Sequence, residues 1–236
     1  MTGGSSGIGR GLTSSYAEAG ARVFAVGRRE DELRAVAAAN PGGSTTPVLA
    51  DLTSDAGARA VATAVDHAGD GLDVVVHAAG ILGPVGVSLV DYPADVWDDV
   101  FEINVTSVQR LHQRLAPFLV AEDAVVVGVS STVGRSGRGG WGMYSVSKFA
   151  LEGWLEVLRD EFAGRVYSVN PGGTRTPMRA AAVPDEDPST LPTPADISPI
   201  FLRLAHARCP EPSGTKFDAR DWIGTDPWAD IGPDAS

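Results

Sequence analysis

The chain has 236 residues, 43% of them hydrophobic, with 19 basic against 30 acidic side chains and a formal charge of -11. That length can bury a full core, and one domain over 1–236 is expected. The negative charge opposes non-specific binding to nucleic acid or to an anionic membrane surface, so any anionic ligand has to be held locally.

The start, Met-Thr-Gly-Gly-Ser-Ser, has neither a charged nor an apolar leader region, and no stretch approaches the roughly 18 apolar residues that span a bilayer, so a cytoplasmic location is expected. Cys209 stands alone and reads as a structural or incidental thiol in a reduced compartment. His67, His77, His112 and His206 are scattered without partners at ligand spacing, so they read as surface or packing histidines and no metal is expected.

The first feature in chain order is Thr2-Gly3-Gly4-Ser5-Ser6-Gly7-Ile8-Gly9, followed by a helical stretch over 11–19. Glycines let the backbone turn tightly and approach a pyrophosphate, while a helix N-terminus offers free N–H groups and partial positive charge. The segment Gly3, Ser5, Ser6, Gly7, Ile8 and Gly9 therefore reads as an anion cradle, against the plainer reading of a flexible Gly/Ser-rich terminus. It lacks the Gly-Lys-Ser/Thr ending of a nucleotide-hydrolase loop. No strand leads into it, although in a doubly wound sheet that strand is central. Without it the neighbouring strands face a gap lined by unpaired backbone groups. Two explanations are open: a polypeptide that starts several residues earlier with an apolar strand, or a truncated product with impaired folding.

A strand over 22–26 runs into Gly27-Arg28-Arg29, where a dinucleotide fold reads the adenosine ribose. A carboxylate there would repel a 2'-phosphate, whereas Arg28, with Arg29 beside it, can grip one, so NADP(H) is preferred to NAD(H). An ordinary solvated arginine pair is the competing reading. A helix over 31–39, a strand over 46–49, a helix over 55–67 and a strand over 72–77 follow. A long helix over 94–119 comes next, with Pro117 ending or kinking it, then a strand over 124–129, a helix over 143–162 and a strand over 166–169. Val74-Val75-Val76 and Val125-Val126-Val127 show no polar alternation, as strands buried on both faces require. The pattern gives an α/β class: a Rossmann-like, doubly wound parallel sheet in three αβα layers, lacking its first strand.

Tyr144 and Lys148 lie four apart on the helix over 143–162 and share a face. A neighbouring ammonium favours the phenolate, which suits Tyr144 to general acid/base work, although an isolated pair at this spacing is common by chance. Ser131 follows the strand over 124–129 and faces the crevice where such folds bind ligands, free to donate to a carbonyl or alkoxide oxygen. From Pro177 to Pro212 the composition turns to Pro, Asp, Thr and Ser, which reads as a surface connection or as a flap over a ligand (177–212), the latter favoured. Lys216-Phe217-Asp218 resembles a last strand, and the tail beyond Asp221 has no assigned role.

In this order TGGSSGIG, Asp51-Leu52, His77-Ala78-Ala79-Gly80, Asn104, Ser131, Tyr144 with Lys148, and Asn170-Pro171-Gly172 resemble the short-chain dehydrogenases/reductases, from Thr2 to about Trp222. The resemblance implies an oxidoreductase moving a hydride between nicotinamide and a carbonyl or secondary alcohol. It implies that Asp51 contacts the adenine amino group, that Leu52, Ala79 and Gly80 wall the cofactor channel, and that Pro171, Gly172, Thr174 and Thr176 sit at the nicotinamide, Thr176 on its carboxamide. It also implies that Lys148 binds the nicotinamide ribose beside Tyr144, that Asn104 sits in a helix irregularity whose carbonyl holds a water linking Lys148 to solvent, and that the chain forms a homodimer or homotetramer. His77-Ala78 departs from the family's usual two asparagines. Ile81, Leu82, Val133, Trp141, Gly172 and Met178 suggest an apolar wall for a small to medium carbonyl or alcohol substrate. A catalytically silent dinucleotide-binding sensor or scaffold, and a non-redox enzyme on the same fold, are the alternatives.

Overall fold

Among the described residues six short strands, β1 (Val23–Gly27), β2 (Thr45–Leu49), β3 (Val74–His77), β4 (Val125–Val129), β5 (Arg165–Asn170) and β6 (Lys216–Asp218), all run parallel. The computed structural model describes residues 1–119, 122 and 124–231. Unbroken valine makes β4 a strand covered on both faces: all five of its residues are buried. The sheet is in two pieces, β2 beside β1 and then β3, β4, β5 and β6 in that order. Among the described residues only Met1 and Thr2 stand between the pieces. Thr2 pairs in parallel with Val26, and its N–H donates to Val76 C=O at 3.0 Å. Among the described residues no strand fills the gap between β1 and β3, as expected.

Helices cover both faces. α1 (Gly7–Glu18) and α8 (Ser198–Ala205) press Leu12, Tyr16, Ile200, Phe201 and Leu204 onto Val125, Val127, Val129 and Val169. α3 (Asp55–Ala68), α5 (Ser107–Leu115) and α6 (Gly142–Glu161) cover the other face, with Val61, Val65, Leu111, Leu151 and Leu155 buried. α2 (Glu30–Ala39) packs on β1 and β2. α3 shows how local sequence sets the ends. Ser54 Oγ accepts from Gly57 N–H at its start, and Gly69 takes the left-handed conformation at its finish. No helix among the described residues is long and apolar enough to cross a membrane.

Three elements differ from the sequence expectation. The first helix starts at Gly7 rather than residue 11, because glycine's low helix propensity hides a start held by the cradle turn. The single helix over 94–119 is four pieces: α4 (Ala94–Phe101), a π-helical turn (Glu102–Thr106), α5, and a 3-10 turn (Ala116–Phe118) at Pro117, which cannot supply a helix N–H. The stretch 177–212 is not one loop. It holds α7 (Pro177–Ala182) and α8, and the fully buried Ile200, Phe201 and Leu204 make α8 part of the core. Of the histidines, His77 and His112 are buried and pack edge-on to Trp154, with centroids 5.7 and 5.2 Å away.

Candidate active site

The cradle sits on the seam of the sheet. Gly3 has φ +68°, a left-handed conformation that glycine adopts without strain, and a Cβ there would stand 3.1 Å from the Ala79 backbone. Gly4 N–H donates to Val26 C=O at 3.0 Å. Thr2 Oγ1 accepts from Ala78 N–H at 2.9 Å and Ala79 N–H at 3.0 Å, so this hydroxyl joins the cradle to the end of β3. That bracing runs through main-chain N–H groups, which explains how Ala78 can stand where the resembled family has an asparagine.

Gly9 closes the turn: a Cβ on it would lie 2.4 Å from Gly3 O and 2.8 Å from Thr2 O. Gly9→Ala is therefore expected to force the cradle open, lowering stability by about 1–3 kcal/mol and weakening dinucleotide binding more than tenfold, roughly. Thermal unfolding and a fluorescence titration with NADPH check this; unchanged values in both would refute it.

A cleft of about 350 Å3 runs from this turn across the C-terminal ends of the strands. Gly3, Ser5 and Ser6 line it with Arg28, Arg29, Asp51, Leu52, Ala79, Gly80 and Ile81. Two guanidinium groups stand at the β1 end, Arg29 Nη2 3.5 Å from Ser5 Oγ and Nη1 3.4 Å from Glu32. Asp51 Oδ1 accepts from Thr53 N–H and Oγ1, which holds its carboxyl below the usual range despite some desolvation, with Arg28 adding a smaller pull. The cleft thus pairs the start of α1, whose first-turn N–H groups have no partner within the helix, with two cations, a donor set that suits a phosphorylated dinucleotide.

At the other end of Gly80 lies a buried polar cluster. Tyr144 is 8% exposed and Lys148 5% exposed, both on α6. Burial pushes the phenol up, and a hydrogen bond with the Ser131 side chain pulls it part of the way back. Lys148 Nζ donates to Val129 C=O at 2.8 Å and stands 5.7 Å from the Tyr144 ring centre. Desolvation brings its ammonium down to about 8, against the opposing charge of Glu152.

Asn104 is 1% exposed in the π-helical turn, so the irregularity expected around it is present. Its Oδ1 accepts from Ile81 N–H at 2.8 Å, and its Nδ2 donates to Ile81 C=O at 3.0 Å and to Ser147 Oγ at 2.9 Å. A Cβ on Gly80 would meet Asn104 Oδ1 at 3.1 Å and Lys148 Nζ at 3.8 Å, so these three converge. Trp141 stands beside Tyr144, ring centres 6.0 Å apart, and Val133 is buried behind it.

The segment after β5 closes the far side. Asn170 ties three pieces together: Nδ2 donates to Thr132 Oγ1 and Asp218 Oδ1, and Oδ1 accepts from Gly172 N–H. Thr176 caps α7, accepting from Arg179 N–H, and its methyl packs 3.5 Å from where a Cβ on Gly7 would lie. Thr174 is buried, with its hydroxyl on Pro171 C=O at 3.1 Å, so it braces the loop. Arg179 holds Glu186 through two bonds and Arg175 donates to Pro188 C=O, which staples the start of the 177–212 stretch.

Sequence reading missed Glu152. It sits one turn beyond Lys148, on the face that Tyr144 and Lys148 share, and is 5% exposed. Its Oε1 accepts from Arg135 Nε at 3.0 Å and Ser168 Oγ at 2.5 Å, and its Oε2 lies 3.1 Å from Lys216 Nζ. These bonds keep it ionised against its own desolvation. Four-residue spacing was the available signal. Ser147 and Thr2, the two hydroxyls that brace Asn104 and the cradle, offered none.

A family model described as short chain dehydrogenase matches residues 1–187. A relative from Escherichia coli K12, named Uncharacterized oxidoreductase YciK, is 42% identical over 230 residues, covering 93% of this chain and 90% of its own. A short chain dehydrogenase of Shigella flexneri 2a, solved in complex with NADP, superposes with a TM-score of 0.88 at 42% identity, over 93% of this chain and 95% of that one. A second, from Escherichia coli CFT073 in complex with NADPH, gives 0.87 at 41% identity, over 93% and 94%.

Proposed function

The chain belongs to the short-chain dehydrogenase/reductase family, and from that membership we propose that it is an NADP(H)-dependent oxidoreductase acting on the carbonyl or secondary alcohol carbon of a small to medium, apolar substrate. The observation that carries this reading is the cluster of Ser131, Tyr144, Lys148 and Asn104 beside Gly80, a residue that lines the same cleft as the glycine-rich turn and two arginines. NADP and NADPH in the two solved relatives support the choice of cofactor.

In this reading the first-turn N–H groups of α1 at Gly7, Ile8 and Gly9, with the hydroxyls of Ser5 and Ser6 and the close backbone of Gly3, hold the pyrophosphate, and Arg28 and Arg29 hold the 2'-phosphate. Asp51, Leu52, Ala79 and Gly80 wall the adenosine half, and Pro171, Gly172, Thr174 and Thr176 border the nicotinamide half. When bound, the dinucleotide supplies or takes up the hydride. Ser131 donates to the substrate oxygen, and Tyr144 gives that oxygen its proton in reduction or takes it in oxidation. A phenol that burial keeps neutral is already the acid that reduction needs. Lys148 holds a positive charge beside it, which favours the phenolate left behind. Asn104 fixes Ile81 and Ser147 around this cluster. Trp141, Val133 and Ile81 leave an apolar approach, which excludes water from the proton transfer.

Arg28 tests site and preference together. Arg28→Asp is expected to weaken NADPH roughly ten- to a hundredfold while sparing NADH, because a charge-assisted phosphate contact becomes a repulsion. Titrations of both nucleotides against both proteins read this directly, and an unchanged preference would refute the assignment. Nicotinamide absorbance with a carbonyl panel separates the alternatives: binding without any stoichiometric redox change would favour a sensor or a non-redox enzyme. We read residues 1–231 as one domain. The exposed Trp97 and Phe101 of α4 and Phe149 and Val157 of α6 support a homo-oligomer packed through those helices.

A further inference from the structure

The chain between Ser131 and Tyr144 contains Gly134, Gly137, Gly139, Gly140 and Gly142, so it is too permissive to fix the two side chains against each other. A stripe of contacts does so instead. Three consecutive residues of the 3-10 turn after Ser131 meet α6 at successive levels. Ser145 Oγ donates to Val133 C=O at 2.6 Å. A Cβ on Gly134 would meet Lys148 Cβ at 2.6 Å, so this backbone lies on the lysine stem. Arg135 Nε donates to Glu152 Oε1 at 3.0 Å. Positions 145, 148 and 152 share one helix face, and the turn runs along it.

The other side of the turn is held by the sheet. Arg135 Nη2 donates to Ser168 Oγ at 3.0 Å and to Phe217 C=O at 3.2 Å, while Asn170 Nδ2 donates to Thr132 Oγ1 at 3.0 Å. Four further charges stand around the pair: Lys148 one turn back on α6, Lys216 3.1 Å from Glu152 Oε2 and 2.7 Å from Glu156, and Asp218 3.6 Å from Arg135 Nη1. Glu152 is 5% exposed, and an ion pair at such a depth costs desolvation that an apolar pair of similar volume avoids. What the charges add is direction. A guanidinium that forks between a carboxylate and a strand end fixes the angle of the turn as well as its distance.

We propose that Arg135 and Glu152 are positioning residues, an ion pair that clamps the Ser131 turn onto α6 and so sets the approach of the Ser131 hydroxyl to the Tyr144 phenol. This rests on the reaction proposed for the site, and the pair reaches the substrate only through Ser131 and Tyr144. Without the clamp both side chains remain, but the turn between the sheet and α6 slackens and the geometry that proton transfer needs is populated less often.

Arg135→Met, Glu152→Gln and the protein carrying both changes test this. Each single change leaves one charge without its partner and should lower Tm, whereas the double change removes both charges and should restore most of the loss. Turnover should not follow. In the double variant kcat is expected to fall between roughly ten- and a hundredfold, with the NADPH dissociation constant within about a factor of two. A pair that only stabilises the fold would regain kcat together with Tm, and that result would overturn the proposal. Arg203→Met, which breaks the ion pair between α8 and Glu211, is the control: Tm should fall and kcat should hold, and an equal loss of kcat there would also overturn the clamp. The NMR resonance of the Tyr144 Cζ carbon reports the hydrogen bond with Ser131 without any substrate. It should move in the double variant, and an unchanged resonance would overturn the clamp. Absence of turnover in the unaltered protein would overturn the proposed reaction instead, with this resonance still deciding the clamp.

Discussion

Tyr144→Phe is expected to lower kcat by about 10²- to 10⁴-fold, the range that a positioned acid/base contributes, and to leave NADPH affinity within about a factor of two. The argument is one of atoms. The phenyl ring keeps its packing beside Trp141 and under Lys148, so the fold and the cofactor recess stay as they are. Only Oη is lost, and with it the proton that reduction must deliver and the partner of Ser131. Steady-state kinetics on any carbonyl that the unaltered protein reduces, set beside a nucleotide titration, separates the two quantities. Retained turnover would remove Tyr144 from the chemistry, and a parallel collapse of nucleotide binding would make it a structural residue.

Lys148→Met should divide function from stability. The ammonium is buried, has one hydrogen bond to Val129 C=O, and has its pKa drawn down to about 8 by desolvation. Between about 8 and the ordinary lysine value the unfolded chain binds the proton that the folded one has released. Stability therefore rises with pH across that window, by at most about 3 kcal/mol, and the full cost of burying the charge is present below it. Methionine keeps the stem and removes the charge. Relief from desolvation and the loss of one bond to a buried carbonyl oppose each other, so the expected change in stability at neutral pH is small, within about 1–2 kcal/mol. Turnover, by contrast, should fall by about a hundredfold or more. Denaturant unfolding at pH values from neutral to alkaline checks the first part: the unaltered protein should gain on the Lys148→Met protein as pH rises past 8, by up to about 3 kcal/mol, and parallel curves would contradict the buried ammonium.

Much of this site is legible in the sequence because the chemistry fixes spacing. Tyr144 and Lys148 share a helix face by arithmetic, and valine runs without alternation announce β3 and β4. The glycine pattern of the cradle reports a steric requirement that the Gly3 and Gly9 contacts bear out. What the sequence hides is decided by tertiary neighbours. The break of the long helix around Asn104 follows from the Ile81 main chain and Ser147, which lie 23 and 43 residues away. Glu152 looks like a solvated helix residue until Arg135, Ser168 and Lys216 are brought to it from three other segments. The buried α8 lies inside a proline-rich stretch whose composition argues for a surface path, and only its docking on α1 and the sheet shows the apolar face of Ile200, Phe201 and Leu204.

The seam beneath the cradle has a thermodynamic consequence. Met1 and Thr2 touch both halves of the sheet, while Gly4 bonds to the end of β1 and Gly3 lies on the residues after β3. If the halves part, the cradle loses its shape, and an anion gripped by the cradle resists the parting. Holding the halves together and holding a dinucleotide are therefore linked, and by reciprocity the factor by which a bound dinucleotide favours the joined halves is the factor by which joining them favours the dinucleotide.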